Sequence, residues 1–79
     1  MTMAAAPLRT PLLLVDCATE PDLAVRLSTL GLRRGAHVEL VQRTSGGGRV
    51  VAVADSRIAL DASVARRLRV RPILAAEAR

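Results

Sequence analysis

The chain has 79 residues, enough for one domain and too few for a second, and a core of that size confers only modest stability. Hydrophobic residues make up 51%, yet Phe, Tyr and Trp are absent, so aliphatic side chains must fill the interior and the stacking platforms of single-stranded nucleic-acid binders are missing. The formal charge is +5, with 12 arginines and no lysine, which favours an acidic partner surface; the scattered arginines and abundant alanine fit a GC-rich genome better than a guanidinium phosphate site.

Residues 1–10 (MTMAAAPLRT) lack periodicity and read as a flexible N-terminal arm preceding a domain over 11–74. Leu12 to Ala18 is apolar and of strand length. Thr19-Glu20-Pro21-Asp22 then predicts a helix start, with Thr19 as cap, Pro21 in the first turn and Asp22 as the capping-box acid. Leu23, Leu27 and Leu30 recur at helical spacing and form one apolar stripe. Gly31 stops the helix, and Leu32 is placed to fold back onto Leu27.

Arg33-Arg34-Gly35 reads as a turn, followed by a strand from Ala36 to Arg43 with Val38 and Leu40 on one face. Ser45-Gly46-Gly47-Gly48 lacks the Gly-Lys-Ser/Thr and helix of a phosphate loop, so it reads as a hairpin loop before a strand from Arg49 to Ala54. Asp55-Ser56 turns the chain into Arg57–Leu60. Asp61 caps one helical turn. Leu68 to Ile73 alternates apolar and charged residues as a half-buried edge strand, with Pro72 at its margin, and 75–79 reads as a frayed tail. Strand, helix, three strands, helical turn and strand predict a mainly β fold, a small barrel of about five strands.

No catalytic, cofactor-binding or metal-binding residue is expected. Cys17 and His37 are the only cysteine and histidine, they fall on different predicted strands, and nothing organises them as nucleophile and base. Cys17 alternates with Leu13 and Val15 and reads as a small buried hydrophobe, while His37 reads as exposed or at a strand edge. A single histidine with acids spread over Asp16, Glu20, Asp22, Glu39, Asp55 and Asp61 makes no clustered metal-ligand set. One cysteine forms no internal disulfide, which fits a reducing compartment. No run approaches the roughly 18 apolar residues of a membrane span. LLLVDC at 12–17 is too short for a signal core, and Asp16 stands where cleavage needs a small residue, so a cytoplasmic location is expected.

Arg26-Leu27-Ser28-Thr29-Leu30-Gly31-Leu32-Arg33-Arg34-Gly35 resembles the "RL-x-x-LGL-x-x-G" segment of the FeoA family, ferrous iron transport protein A. Val38-Glu39-Leu40-Val41, Ile58-Ala59-Leu60 with Ala65, and Leu68-Arg69-Val70 continue the likeness, which spans about residues 12–73. The resemblance implies an SH3-like barrel, also found at the C-terminus of iron-dependent repressors. It further implies a partner, ferrous iron transport protein B, a membrane permease with a G-protein domain. Lacking a DNA-binding helix-turn-helix, the chain fits the stand-alone accessory. The corner Leu30, Gly31, Leu32, Arg33, Arg34 and Gly35 joins apolar and cationic groups and is the candidate partner-binding segment. The alternative is a nucleic-acid surface on the C-terminal arginines Arg66, Arg67, Arg69 and Arg71, without aromatics to stack bases.

Overall fold

The computed structural model describes residues 1–74. Its strands are β1 (Leu12–Cys17), β2 (His37–Arg43), β3 (Arg49–Val53), β4 (Ser56–Leu60) and β5 (Leu68–Pro72), with α1 (Pro21–Thr29) after β1 and a single turn, α2 (Ala62–Ala65), before β5. They form one antiparallel sheet in the order β4-β3-β2-β1-β5. The predicted order of elements is the observed one. The expected frayed tail, 75–79, lies outside the described residues.

Alternation selects the core. Leu12 and Leu14 of β1, Val38 and Leu40 of β2, Val51 and Val53 of β3, and Leu68 and Val70 of β5 are all buried. Leu27, Leu32, Leu60 and Ala65 add the helical and turn contributions to the same cluster. Two bulges bend the inner strands. The register of β1 shifts between Leu14 and Asp16, and that of β2 between Leu40 and Gln42.

The bulge in β1 changes which residues share a face with Cys17, not its expected packing against the core. Simple alternation groups it with Leu13 and Val15, but the extra residue sets Cys17 opposite the buried Leu68. Cys17 packs half-buried against the core, on the side of Leu12 and Leu14. The start of α1 is corrected. The capping residue is Glu20, no side chain caps the helix, and the Thr19 hydroxyl instead donates to the Glu20 carbonyl at 3.4 Å. Pro21 occupies the first helical position, where its missing N–H costs nothing.

The first ten residues are not a loose arm. Met3 and Ala6 are fully buried, and a 3-10 turn over Met3–Ala5 places them in the core cluster. Thr2 bridges Arg69 of β5, and Leu8 bridges Leu40 of β2 in parallel, where β1 and β2 share only two residue pairs. Arginines fix this segment. The Arg49 guanidinium donates from Nη2 to the Ala4 carbonyl at 2.7 Å and from Nη1 to the carbonyls of Gly47 and Gly48 at 3.0 and 2.9 Å. Arg43, its cross-strand partner, reaches the Ala6 carbonyl at 3.3 Å. The glycine loop is thus the β2–β3 hairpin turn, with Thr44 N–H donating to the Gly48 carbonyl, and its acceptors hold a guanidinium.

Asp61 caps α2 as predicted. Its Oδ1 accepts from the Val64 N–H at 2.9 Å and from the Ser63 hydroxyl at 2.8 Å. These bonds, the Val64 N–H foremost, hold the Asp61 carboxyl below the ordinary aspartate range.

Two outcomes follow from these contacts. Met3→Ala should cost about 2–4 kcal/mol in urea unfolding, a large share of the stability of so small a domain, whereas a loose arm would leave it unchanged. Because the folded pKa of Asp61 is lowered, its contribution is present above the unfolded value and lost as pH falls through the folded one. An NMR titration should place its carboxyl midpoint below that of the same residue in the unfolded chain, and Asp61→Ala should remove that part of the acid sensitivity.

Candidate functional site

The corner between α1 and β2 is built around a helix stop. Leu30 retains right-handed angles, and Gly31 then swings to φ 101°. The Leu32 N–H donates to the Leu27 carbonyl at 2.8 Å and the Gly31 N–H to the Ser28 carbonyl at 3.0 Å, the paired bonds of a Schellman stop. Leu32 folds back into the core, only 1% exposed, as the sequence predicts.

Next comes a tight turn. The Ala36 N–H donates to the Arg33 carbonyl at 3.0 Å, and Gly35 supplies the left-handed residue at φ 90°. The turn is tied to β1 on both sides, with Gly35 N–H donating to the Leu14 carbonyl at 2.8 Å and Leu14 N–H to the Ala36 carbonyl at 2.9 Å. Six consecutive residues are therefore fixed by backbone bonds at both ends.

The structure divides the six candidate residues by role. Leu32 is a core residue, which removes it from the contact surface. Gly31 and Gly35 shape the backbone. Leu30, Arg33 and Arg34 form the accessible surface. Leu30 is 52% exposed, which corrects the expectation that it completes the buried stripe of α1. It sits past the last helical residue, so the 3.6-residue spacing that buries Leu27 no longer directs it inward. On α1 itself Val25 is an exposed apolar side chain that the sequence pattern did not single out.

Charge completes the surface. Arg34 lies 3.6 Å from the Asp16 carboxylate, with both side chains largely in solvent, so the pair contributes little to stability. Among the described residues the Arg33 guanidinium has no ion-pair or hydrogen-bond partner. Arg33 and Arg34 line an open cleft of about 520 Å³ together with His37, Val53 and Ala54. Such a surface can receive a carboxylate against the guanidinium forks and an aliphatic group against Leu30.

The C-terminal arginines are less uniform than alternation implies. Arg66, Arg67 and Arg69 are exposed, but Arg71 is half-buried and Arg69 stands opposite Asp16 across the β1–β5 ladder. A carboxylate therefore interrupts the basic stripe. Among the described residues no three of His, Cys, Asp and Glu come together. No helix among them is long and apolar enough to cross a membrane.

The FeoA domain family matches residues 1–72. FeoA of Stenotrophomonas maltophilia, solved in complex with zinc and put forward there as a prokaryotic SH3 domain protein and candidate activating factor for ferrous iron transport, is 33% identical. The two superpose with a TM-score of 0.70 over 98% of this chain and 93% of that one. The FeoA protein from Chlorobium tepidum gives a TM-score of 0.85 at 21% identity, covering 94% of this chain and 71% of that one. The metal-dependent transcriptional regulator MtsR gives 0.79 at 18% identity, with 92% of this chain matched to 34% of the regulator. Among curated proteins no match is found. The fold is thus the SH3-like barrel shared by these proteins.

The two glycines of the corner should differ in tolerance. A methyl at Gly31 would combine the left-handed penalty with a 3.3 Å approach to Val53 Cγ2, whereas at Gly35 it would meet nothing within 4 Å. Gly31→Ala should cost about 2 kcal/mol and Gly35→Ala about 1 kcal/mol in denaturant unfolding. Equal costs would show that Gly31 is not pressed against β3.

Proposed function

This chain belongs to the FeoA domain family, and on that footing we propose that it is a small, cytoplasmic, non-enzymatic accessory of bacterial ferrous iron uptake that works by contact with the membrane transporter, ferrous iron transport protein B. The contact surface is the α1–β2 corner, with Leu30, Arg33 and Arg34 as its binding groups. Iron is the transporter's cargo and not a ligand of this chain.

The observation that carries the reading is the Arg33 guanidinium, without a partner among the described residues, three positions after the exposed Leu30 on a corner held by backbone bonds at both ends. Arginine next to an apolar anchor is the composition of interface hot spots. A rigid backbone reduces the ordering cost that a partner would otherwise have to overcome. The surface charge of the corner selects an acidic patch on the transporter's cytoplasmic domain.

Arg33→Ala/Arg34→Ala should weaken binding to the purified cytoplasmic domain of the transporter by about tenfold or more, with unfolding stability unchanged, and Leu30→Ser should weaken it independently. Binding should also fall with added salt, since the arginines are solvent-exposed. Unchanged affinity in both variants would sink the corner as the interface. A steeply salt-dependent affinity for RNA or DNA, lost on replacing Arg66, Arg67 and Arg69, would transfer the function to the C-terminal arginines.

A further inference from the structure

The two edges of the sheet are finished differently. At β5 the chain's own first residues extend the ladder: Val70 N–H donates to the Met1 carbonyl at 2.8 Å, and Thr2 bridges Arg69. Pro72 ends that strand without a donor. β4, at the opposite edge, pairs with β3 alone. Its hairpin closes on Val53 and Ser56 through the two-residue turn Ala54-Asp55. Ser56, Ile58 and Leu60 therefore exchange their hydrogen bonds with β3, and the N–H and C=O groups of Arg57 and Ala59 point away from the sheet. Among the described residues no other backbone group reaches them, and both residues are exposed.

An open edge admits another strand, and the charges along this one select which. Three two-fold antiparallel registers bring the outward groups of β4 together with those of a second copy. In the first, Arg57 faces Arg57 of the second copy. In the next, Arg57 faces the other Ala59, and Asp55 is set against Asp61 twice. In the third, Ala59 faces Ala59 across the axis, Arg57 faces Asp61 twice, and Ile58 faces Leu60 twice. Only the third opposes unlike charges, and it leaves two methyl groups at the axis.

Asp61 is equipped for that role, because Oδ1 accepts both capping bonds and leaves Oδ2 for a guanidinium. Ile58 is half-buried and Leu60 buried in the single chain, so the arginine–aspartate pairs and the edge backbone, not the apolar pair, carry the selection. The geometry points to a homodimer in which β4 pairs with β4 of a second copy, antiparallel, on a two-fold axis through Ala59. The arginine that discourages unlike strands at this edge becomes the selective contact for the like one. The α1–β2 corner takes no part in this pairing.

Sedimentation of the full chain across a wide concentration range, with hydrogen exchange read at the Arg57 and Ala59 amides, tests the inference. A reversible dimer is expected, with those two amides gaining protection as concentration rises. Arg57→Asp turns both unlike pairs into acid pairs and should weaken dimerisation by about tenfold or more, while leaving the monomer's unfolding unchanged. Ala59→Pro removes the outward N–H at the axis and should abolish the dimer, with NMR shift dispersion reporting that the monomer stays folded. A monomer at every concentration overturns the inference. So does a dimer that Arg57→Asp leaves intact, or one in which the Arg57 and Ala59 amides stay unprotected.

Discussion

The barrel interior is entirely aliphatic, and this constraint shapes everything built on it. Without an aromatic ring to span the space between sheet faces, the core must be narrow, and its open end needs a plug of the same chemistry. Met3 and Ala6 are that plug. Their backbone enters the structure with polar groups that need partners, and the Arg49 guanidinium meets the requirement from inside the hairpin. A charge-assisted donor on three carbonyls is strong for its size, and it joins the chain start to the β2–β3 loop without an acidic residue. The arrangement leaves Arg49 Nε buried without a protein partner, a local cost accepted to hold the segment in place.

A narrow barrel also limits what the molecule can present. The interior is filled, so function must lie on turns and edges. The α1–β2 corner is the best-fixed of these, because the helix stop at Gly31 and the turn at Gly35 are bonded to different elements. Burial of Leu32 and exposure of Leu30 are two results of one event: the left-handed residue between them reverses the chain, sending one leucine inward and leaving the other outside.

Much of this was legible in the sequence wherever the signal was local. Gly31 with Leu32 and Leu27 specifies a stop that short-range sterics enforce, and Asp61 specifies its cap by the same kind of proximity. The alternation of β5 survives because no bulge interrupts it. Legibility failed where a distant contact decides the outcome. MTMAAAPLRT carries no period because a 3-10 turn and two isolated bridges, not a strand or helix, bury it. Cys17 packs against the core as a small hydrophobe, but beside Leu12 and Leu14 and not with Leu13 and Val15, because alternation cannot reveal an inserted residue. Leu30 fitted the helical period but lies just beyond the helix. At the site, that Arg34 and not Arg33 meets a carboxylate among the described residues follows from where the acids fall in space, which spacing along the chain does not encode.

The twelve arginines then separate by task, and this bears on function more than their sum does. Arg43 and Arg49 are tied to backbone carbonyls and carry the fold. Arg57 and Arg69 stand on the two outermost strands, where a charged side chain restricts indiscriminate pairing. Arg69 is also set against Asp16. What remains beside an exposed apolar group on a rigid turn is the pair Arg33 and Arg34. In the proposed function these two guanidiniums carry the transporter contact, and the dispersal of the other arginines over the fold is what sets them apart.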